Sequence, residues 1–447
     1  MNNVVADSLE LTNIINVLSK NGNRATFDDL KNYILQNPKI GIKENDELAI
    51  IYTDSNTIEQ TDKQSKKYSK STIIEKESLK IIGSQYNPIV YNHDAFNAIS
   101  NMHWNNIVIY KCYEGTTFLV YYHNDKWYIS TRRCLNSEGK FDYSGQTFRD
   151  IFIETMKDKF SFDDLNINYC YHFVLIHHKI KGIVKYSCDN NNYKYIYCIL
   201  VTKKYTLNEV NVSVPGTLYV KKEQFPNINS LMKHIGNINR EDCKNKRVST
   251  EGYILKHYKG EIHKSPFVIY KLQTYIYQKL SKLLPNNNNL NQCYLELYQT
   301  NKLKDILPYF TNYSFDIMQR INNSFKTISK ELLDLYHLTR NNKNPDMYQL
   351  LPGIYKHVLY KIHGIYIKNR TDDFKDGSDS NKNKAKSKAI TKYNIYDMLK
   401  SLEPQKLRHI FYQRMVLCNT IPRPVYISKC SYTSTHTVLM FGNVFTS

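Results

Sequence analysis

Three short segments of this chain carry the residue types that phosphate chemistry uses. In chain order they are Lys111-Cys112-Tyr113-Glu114-Gly115-Thr116, Glu251-Gly252-Tyr253-Ile254-Leu255-Lys256 and Phe267-Val268-Ile269-Tyr270-Lys271-Leu272-Gln273. A lysine amine attacks phosphorus once nearby positive charge has drawn off its proton. Further cations neutralise phosphate oxygens, and a carboxylate orients the amine or holds Mg2+. Lys111, Lys271, Arg132, Arg133 and Glu251 supply those types. Each has a plainer reading too. Lys111 can be a solvent-facing strand-end lysine, Glu251-Gly252 an ordinary strand start, and Arg132-Arg133 a surface pair. His172, His177 and His178 alternate with apolar residues, which reads as core or sheet-edge histidine rather than metal ligation.

Strands must position these groups. From about residue 73 to 280 the pattern is β-rich. Ile107 to Tyr110, Thr117 to Tyr122 and Trp127 to Ser130 read as short strands, the last two joined as a hairpin across His123-Asn124-Asp125. Further strands are expected over His172 to Ile176, Tyr195 to Thr202, Gly252 to Lys256 and Phe267 to Leu272, with helices near 146–158 and 226–235. That is an α+β domain with substantial antiparallel sheet. Before it, 1–50 reads as an N-terminal helical segment, with helices within 7–36, and 51–72 as a basic linker. After it, 281–417 reads as an all-α C-terminal domain containing a disordered loop at 371–388 and a helix near 393–417; 418–447 is a tail.

The 447 residues hold 61 Lys+Arg against 41 Asp+Glu, a formal charge of +20, and 38 Tyr. Such a chain suits a polyanionic partner, although an A/T-rich coding bias gives the same composition. Hydrophobic content of 41% excludes a mostly disordered protein. No apolar run reaches the roughly 20 residues that span a bilayer. The start, MNNVVADSLELTNIINVL, has no basic n-region, so a cytoplasmic rather than secreted chain is expected. Nine scattered cysteines with no CxxC point to reduced thiols and away from zinc.

In order and spacing, with a strand–turn–strand after the first, the three segments resemble motifs of the covalent nucleotidyltransferases, the nucleic-acid ligases and mRNA capping enzymes. They are most similar to the phage T4 RNA ligase 1-like family as found in large DNA viruses, over roughly 77–280. The resemblance implies a nucleotidyltransferase (ATP-grasp-like ligase) fold at 73–280, with ATP and Mg2+ as cofactors and RNA as partner, in a host cytoplasm. It implies Lys111 as the nucleophile that takes AMP and then passes it to an RNA 5′-phosphate. Glu251 would stand at the metal and the lysine, and Lys271 on the α-phosphate. Glu114, Gly115, Arg132, Arg133 and Phe173 would surround the nucleotide. In the helical part, Arg340, Lys356 and Lys361 are candidate RNA phosphate contacts beside tyrosines that read as core.

The chain departs from that pattern at four places. The family's lysine stands three before the motif glycine, and here that residue is Cys112, with Lys111 one position earlier. One step along a strand reverses a side chain's face. Tyr171-His172-Phe173-Val174-Leu175 lacks the usual acid, Ile269 replaces the first lysine of the fifth motif, and Lys80 is the one cation near the expected upstream arginine. A cysteine nucleophile at 112 is the less favoured variant. Two further readings therefore stand beside an active RNA ligase: a ligase-fold pseudoenzyme that binds nucleotide or RNA, and a virion protein that neutralises nucleic acid.

Overall fold

A computed structural model describes residues 3–19, 24–37, 40–53, 71–85, 89–140, 145–180, 182–186, 192–284, 290–310, 314–340, 345–375 and 389–420. The expected linker lies mostly outside these residues, as do much of the expected loop at 371–388 and most of the tail. The chain divides into two compact units, Met1–Ser281 and Lys282–Ser447.

The first unit is α+β. It opens with helices α1 (Asn3–Leu18) and α2 (Phe27–Leu35), and α2 is started by a Thr26–Asp29 capping box. Strands β1 (Ile40–Glu44), β2 (Leu48–Thr53), β3 (Thr72–Glu75) and β4 (Ile81–Ser84) then pair antiparallel in that order to make a first sheet. The 1–50 segment is thus not wholly helical. Leu48-Ala49-Ile50-Ile51 is buried on both faces, Ala49 and Ile51 against the helices and Leu48 and Ile50 against the next sheet. A strand buried on both sides has no period-2 signature in the sequence.

Strand β5 (Ile89–Tyr91) and helix α3 (Asn92–Ile99) lead into β6 (Ile107–Cys112), β7 (Thr116–His123) and β8 (Lys126–Ser130). Asn124 and Asp125 both have positive φ in the β7–β8 turn, the conformation a two-residue hairpin requires. After α4 (Phe148–Met156) come β9 (Tyr169–His177), β10 (Lys194–Lys203), β11 (Leu218–Tyr219) and β12 (Lys222–Glu223). Helix α5 (Ile228–Asn245) runs ten residues beyond its expected end, and β13 (Gly252–Tyr258), β14 (Phe267–Gln273) and α6 (Tyr275–Leu283) complete the series.

The second sheet has the order β11-β10-β9-β7-β8 and the third β12-β6-β13-β14-β5. Pairing is antiparallel except for β10 with β11 and β14 with β5. The second sheet packs one face on α4 through Phe118, Phe173 and Leu175. Leu119, Tyr121 and Cys170 on its other face meet the first sheet. The third sheet buries Ile109, Tyr253, Leu255, Tyr270 and Leu272 under α3 and α5. Its other face carries Val108, Tyr258 and Phe267, packed with Leu200 of β10. The segment Leu218–Glu223 gives β11 to the second sheet and β12 to the third.

The second unit is helical: α7 (Leu290–Gln299), α8 (Leu303–Phe310), α9 (Ser314–Arg340), α10 (Pro345–Leu350), α11 (Gly353–Lys375), α12 (Lys392–Ser401) and α13 (Pro404–Thr420). The single helix expected near 393–417 is two, because Pro404 starts a new helix after Leu402 leaves the helical region. Helix α11 also runs through Lys375, into the stretch expected to be a loop. Among the described residues no helix is long and apolar enough to cross a membrane.

Two histidines of β9 are buried in the second sheet. His172 shares a hydrogen bond with Thr202 Oγ1 at 3.2 Å, and burial pushes both His172 and His177 down to about 4. An unfolded chain takes up those protons near 6.5, whereas the folded chain resists them until about 4. Stability that is full above pH 6.5 therefore falls as pH drops through that window. Urea unfolding midpoints should decline between pH 7 and 5, above the carboxylate range, and His172→Gln should flatten the decline. A flat wild-type profile would contradict the burial of these rings.

Candidate functional site

The third sheet's alternation decides which of the sequence-selected residues meet. In β13 the register sets Gly252 opposite both Cys112 of β6 and Gln273 of β14, and Ile254 opposite Lys271. Cys112 and Lys271 thereby emerge on the face shared with Tyr258 and Phe267. Gly252 sits at φ +146, and a Cβ there would lie 2.1 Å from the carbonyl oxygen of Leu272, so only glycine lets the three strands close at this point. The residue just before it, Glu251, is held by its backbone carbonyl accepting from the Thr274 amide at 2.9 Å.

Glu251 is 6% exposed and both its carboxylate oxygens are engaged. Oε1 is ion-paired with Lys271 Nζ and accepts from Gln273 Nε2 at 2.9 Å; Oε2 accepts from the Cys112 thiol at 3.1 Å. Gln273 is itself fixed by Asn92, whose Oδ1 takes the Gln273 amide at 2.9 Å and whose amide donates to Gln273 Oε1 at 3.1 Å. Burial by itself would pull the Lys271 ammonium down, but the Glu251 carboxylate paired with it opposes this and the group is held above the lysine range. Burial pushes the Cys112 thiol far up, and Lys271 offsets only part of that. Burial likewise raises Tyr91, whose hydroxyl lies in the field of Lys271, Glu251, Cys112 and Arg132.

A second group adjoins this one at the turn after β6. The Glu114 carboxylate accepts from the Val184 amide at 2.6 Å through Oε2 and from the Tyr277 hydroxyl at 3.2 Å through Oε1. Its backbone carbonyl accepts from the Tyr186 hydroxyl at 2.8 Å. Burial raises the Glu114 carboxyl, and the field of Glu251 raises it further. Gly115 is sterically required, since a Cβ would stand 2.5 Å from the Leu175 carbonyl oxygen.

Several expected site residues fall elsewhere. Lys111 alternates with Cys112, so its side chain leaves β6 on the face with Ile109, the α3/α5 side, and is half-buried there; its amide donates to the Lys221 carbonyl at 3.0 Å. Phe173 is fully buried among Phe152, Phe160 and Tyr171 under α4, so it is core and not part of a nucleotide pocket. Arg132 reaches the cluster through its field on Tyr91, whereas Arg133 lies over the Tyr52 ring at 5.9 Å. For Mg2+, the expected ligand Glu251 has both oxygens taken by protein donors, and among the described residues no three His, Cys, Asp or Glu are grouped to hold an ion. In the helical unit Tyr336 and Tyr355 are buried, as expected for core. Arg340 lies over the Tyr336 ring, Lys356 donates to the Gln349 carbonyl, and Lys361 is exposed within the field of Glu403.

Tyr91, Tyr186, Tyr277 and Asn92 were missed. They come from a short strand, a connecting segment, a helix and a helix start, and no local pattern joins them to the motifs.

No family model matches the sequence, and no curated protein matches it. Several solved structures are similar at low identity. A putative ATP-dependent DNA ligase from Aquifex aeolicus is 12% identical, with a TM-score of 0.35 over 65% of this chain and 69% of that chain. Two forms of an archaeal ATP-dependent RNA ligase are 8% and 9% identical, with TM-scores of 0.36 and 0.38. These cover 60% and 65% of this chain, and 65% and 73% of theirs.

The buried pair makes Glu251 a structural keystone. Glu251→Ala leaves an uncompensated ammonium in the sheet and should cost about 3–5 kcal/mol in urea unfolding. The double variant Glu251→Gln with Lys271→Met should lose much less. Equal losses in the two would show that the charges are not coupled.

Proposed function

We propose that the first unit is a nucleotide-binding module of ligase-like layout that does not adenylylate itself, with RNA as its macromolecular partner. The observation that carries this reading is the identity of the side chain beside Glu251 and Lys271, which is a cysteine. A covalent nucleotidyl carrier needs a deprotonated nucleophile there. The Cys112 thiol is held protonated by burial and donates to Glu251. The Lys271 ammonium is held protonated by its pair and has no lone pair to offer. Lys111, the expected nucleophile, leaves its strand on the other face of the sheet.

What the cluster retains is charge and order. A fixed ammonium at Lys271 with Arg132 nearby suits phosphate oxygens, and charge-assisted contacts of this kind bind without chemistry. The formal charge of +20 supports a polyanion partner, with the exposed Lys361 of the helical unit among the available cations. The motif order in the sequence is what favours the other reading, an active RNA ligase.

One labelling experiment separates them. Incubated with α-labelled ATP and Mg2+, the protein should carry no label through denaturation, while equilibrium dialysis finds ATP bound, and Arg132→Ala should weaken that binding by about tenfold. A covalent label abolished by Lys111→Ala would overturn the module reading in favour of ligase chemistry. Absence of both label and bound ATP would overturn both.

A further inference from the structure

The segment Gly182–Tyr186, in the connection between β9 and β10, is tied down at every residue that has a described polar contact. The Val184 amide donates to Glu114 Oε2 at 2.6 Å, and the Tyr186 hydroxyl to the Glu114 carbonyl at 2.8 Å. The Lys185 amide donates to the Val248 carbonyl at 2.9 Å, and Arg247 donates back to the Lys185 carbonyl at 3.2 Å. Ile183 and Val184 are 8% and 3% exposed. Glu114 is braced from behind by Tyr277 of α6.

We infer that Gly182–Tyr186 is an autoinhibitory strap, latched by Glu114 over the Cys112–Glu251–Lys271 cluster, which a nucleotide must displace to reach Lys271. Three observations meet here. The cluster is closed, with Cys112 3% and Glu251 6% exposed. The segment is bonded close to the cluster on both sides, the Tyr186 hydroxyl to the Glu114 carbonyl two residues from Cys112 and the Lys185 amide to the Val248 carbonyl three residues from Glu251. The segment also lies directly against the latch, because a Cβ on Gly182 would lie 2.7 Å from Glu114 Oε2 and the carboxylate would have to shift. The segment is fixed by these individual hydrogen bonds and not by strand pairing, so breaking them opens it locally without unfolding the sheets. The strap also gives Glu114 a different use from the one the motif resemblance implies: its carboxylate holds protein backbone.

This inference rests on the nucleotide-binding reading, and its test reads the strap and the ligand separately. Gly182→Ala forces the Glu114 carboxylate aside while leaving Cys112, Glu251 and Lys271 unchanged; Tyr277→Phe removes the brace more gently. Hydrogen exchange followed by mass spectrometry should find the 183–186 amides protected in the wild type, with protection reduced at least about tenfold in Gly182→Ala and less in Tyr277→Phe. Peptides of β13 should be unaffected. ATP measured by equilibrium dialysis should bind the opened variant several-fold more tightly, because the cost of displacing the strap is removed. Unchanged protection overturns the latch. Lost protection with equal or weaker ATP binding, where the wild type does bind ATP, overturns autoinhibition alone and leaves the nucleotide-binding reading standing. Lost protection with ATP bound by neither protein overturns the nucleotide reading and the strap's role with it.

Discussion

The arrangement depends on one buried carboxylate whose two oxygens are both engaged. Glu251 accepts from an ammonium, an amide and a thiol that arrive from β14, β14 and β6, and its own backbone is bonded to Thr274. Buried charge is tolerated only when paired and hydrogen-bonded, and this set meets that condition. The strands that bring the partners are locked at Gly252, where the Leu272 carbonyl fills the space a side chain would take. Register, burial and charge at the site are therefore one constraint seen three ways.

That constraint also governs reactivity. A thiol needs an electropositive, solvated setting to ionise. Cys112 has the cation, but also a carboxylate at 3.1 Å and almost no solvent. The same carboxylate keeps Lys271 charged. One acceptor thus quenches both potential nucleophiles, keeping the thiol protonated and the ammonium paired.

Much of this was legible in the sequence where the signal was local. The β7–β8 hairpin announced itself through Asn124-Asp125, and β13 and β14 through their β-rich composition. The segments bearing Glu251 and Lys271 were found, and the one-residue displacement of Lys111 already questioned its face. What could not be read depended on distant partners. β2 hides because it is covered on both sides. Phe173 resembled a nucleotide contact until the packing of α4 showed which face of β9 it occupies. Asn92 and Gln273 bond across 181 positions of chain, and Glu114 reaches Val184 across 70. No periodicity encodes such pairs.

The short segment Leu218–Glu223 adds a mechanical consequence. Its first two residues pair with β10 at Tyr197 and Cys198, and its last two with β6 at Tyr110 and Ile109. Only Val220 and Lys221 separate the two attachments. A linker that short has almost no slack, and on this side it works as a rivet. The second and third sheets cannot swing apart as rigid halves along this edge without breaking hydrogen bonds in one of them. Movement along this edge is left to loops and connections, while the distance between the two sheets at this seam is set by the chain itself.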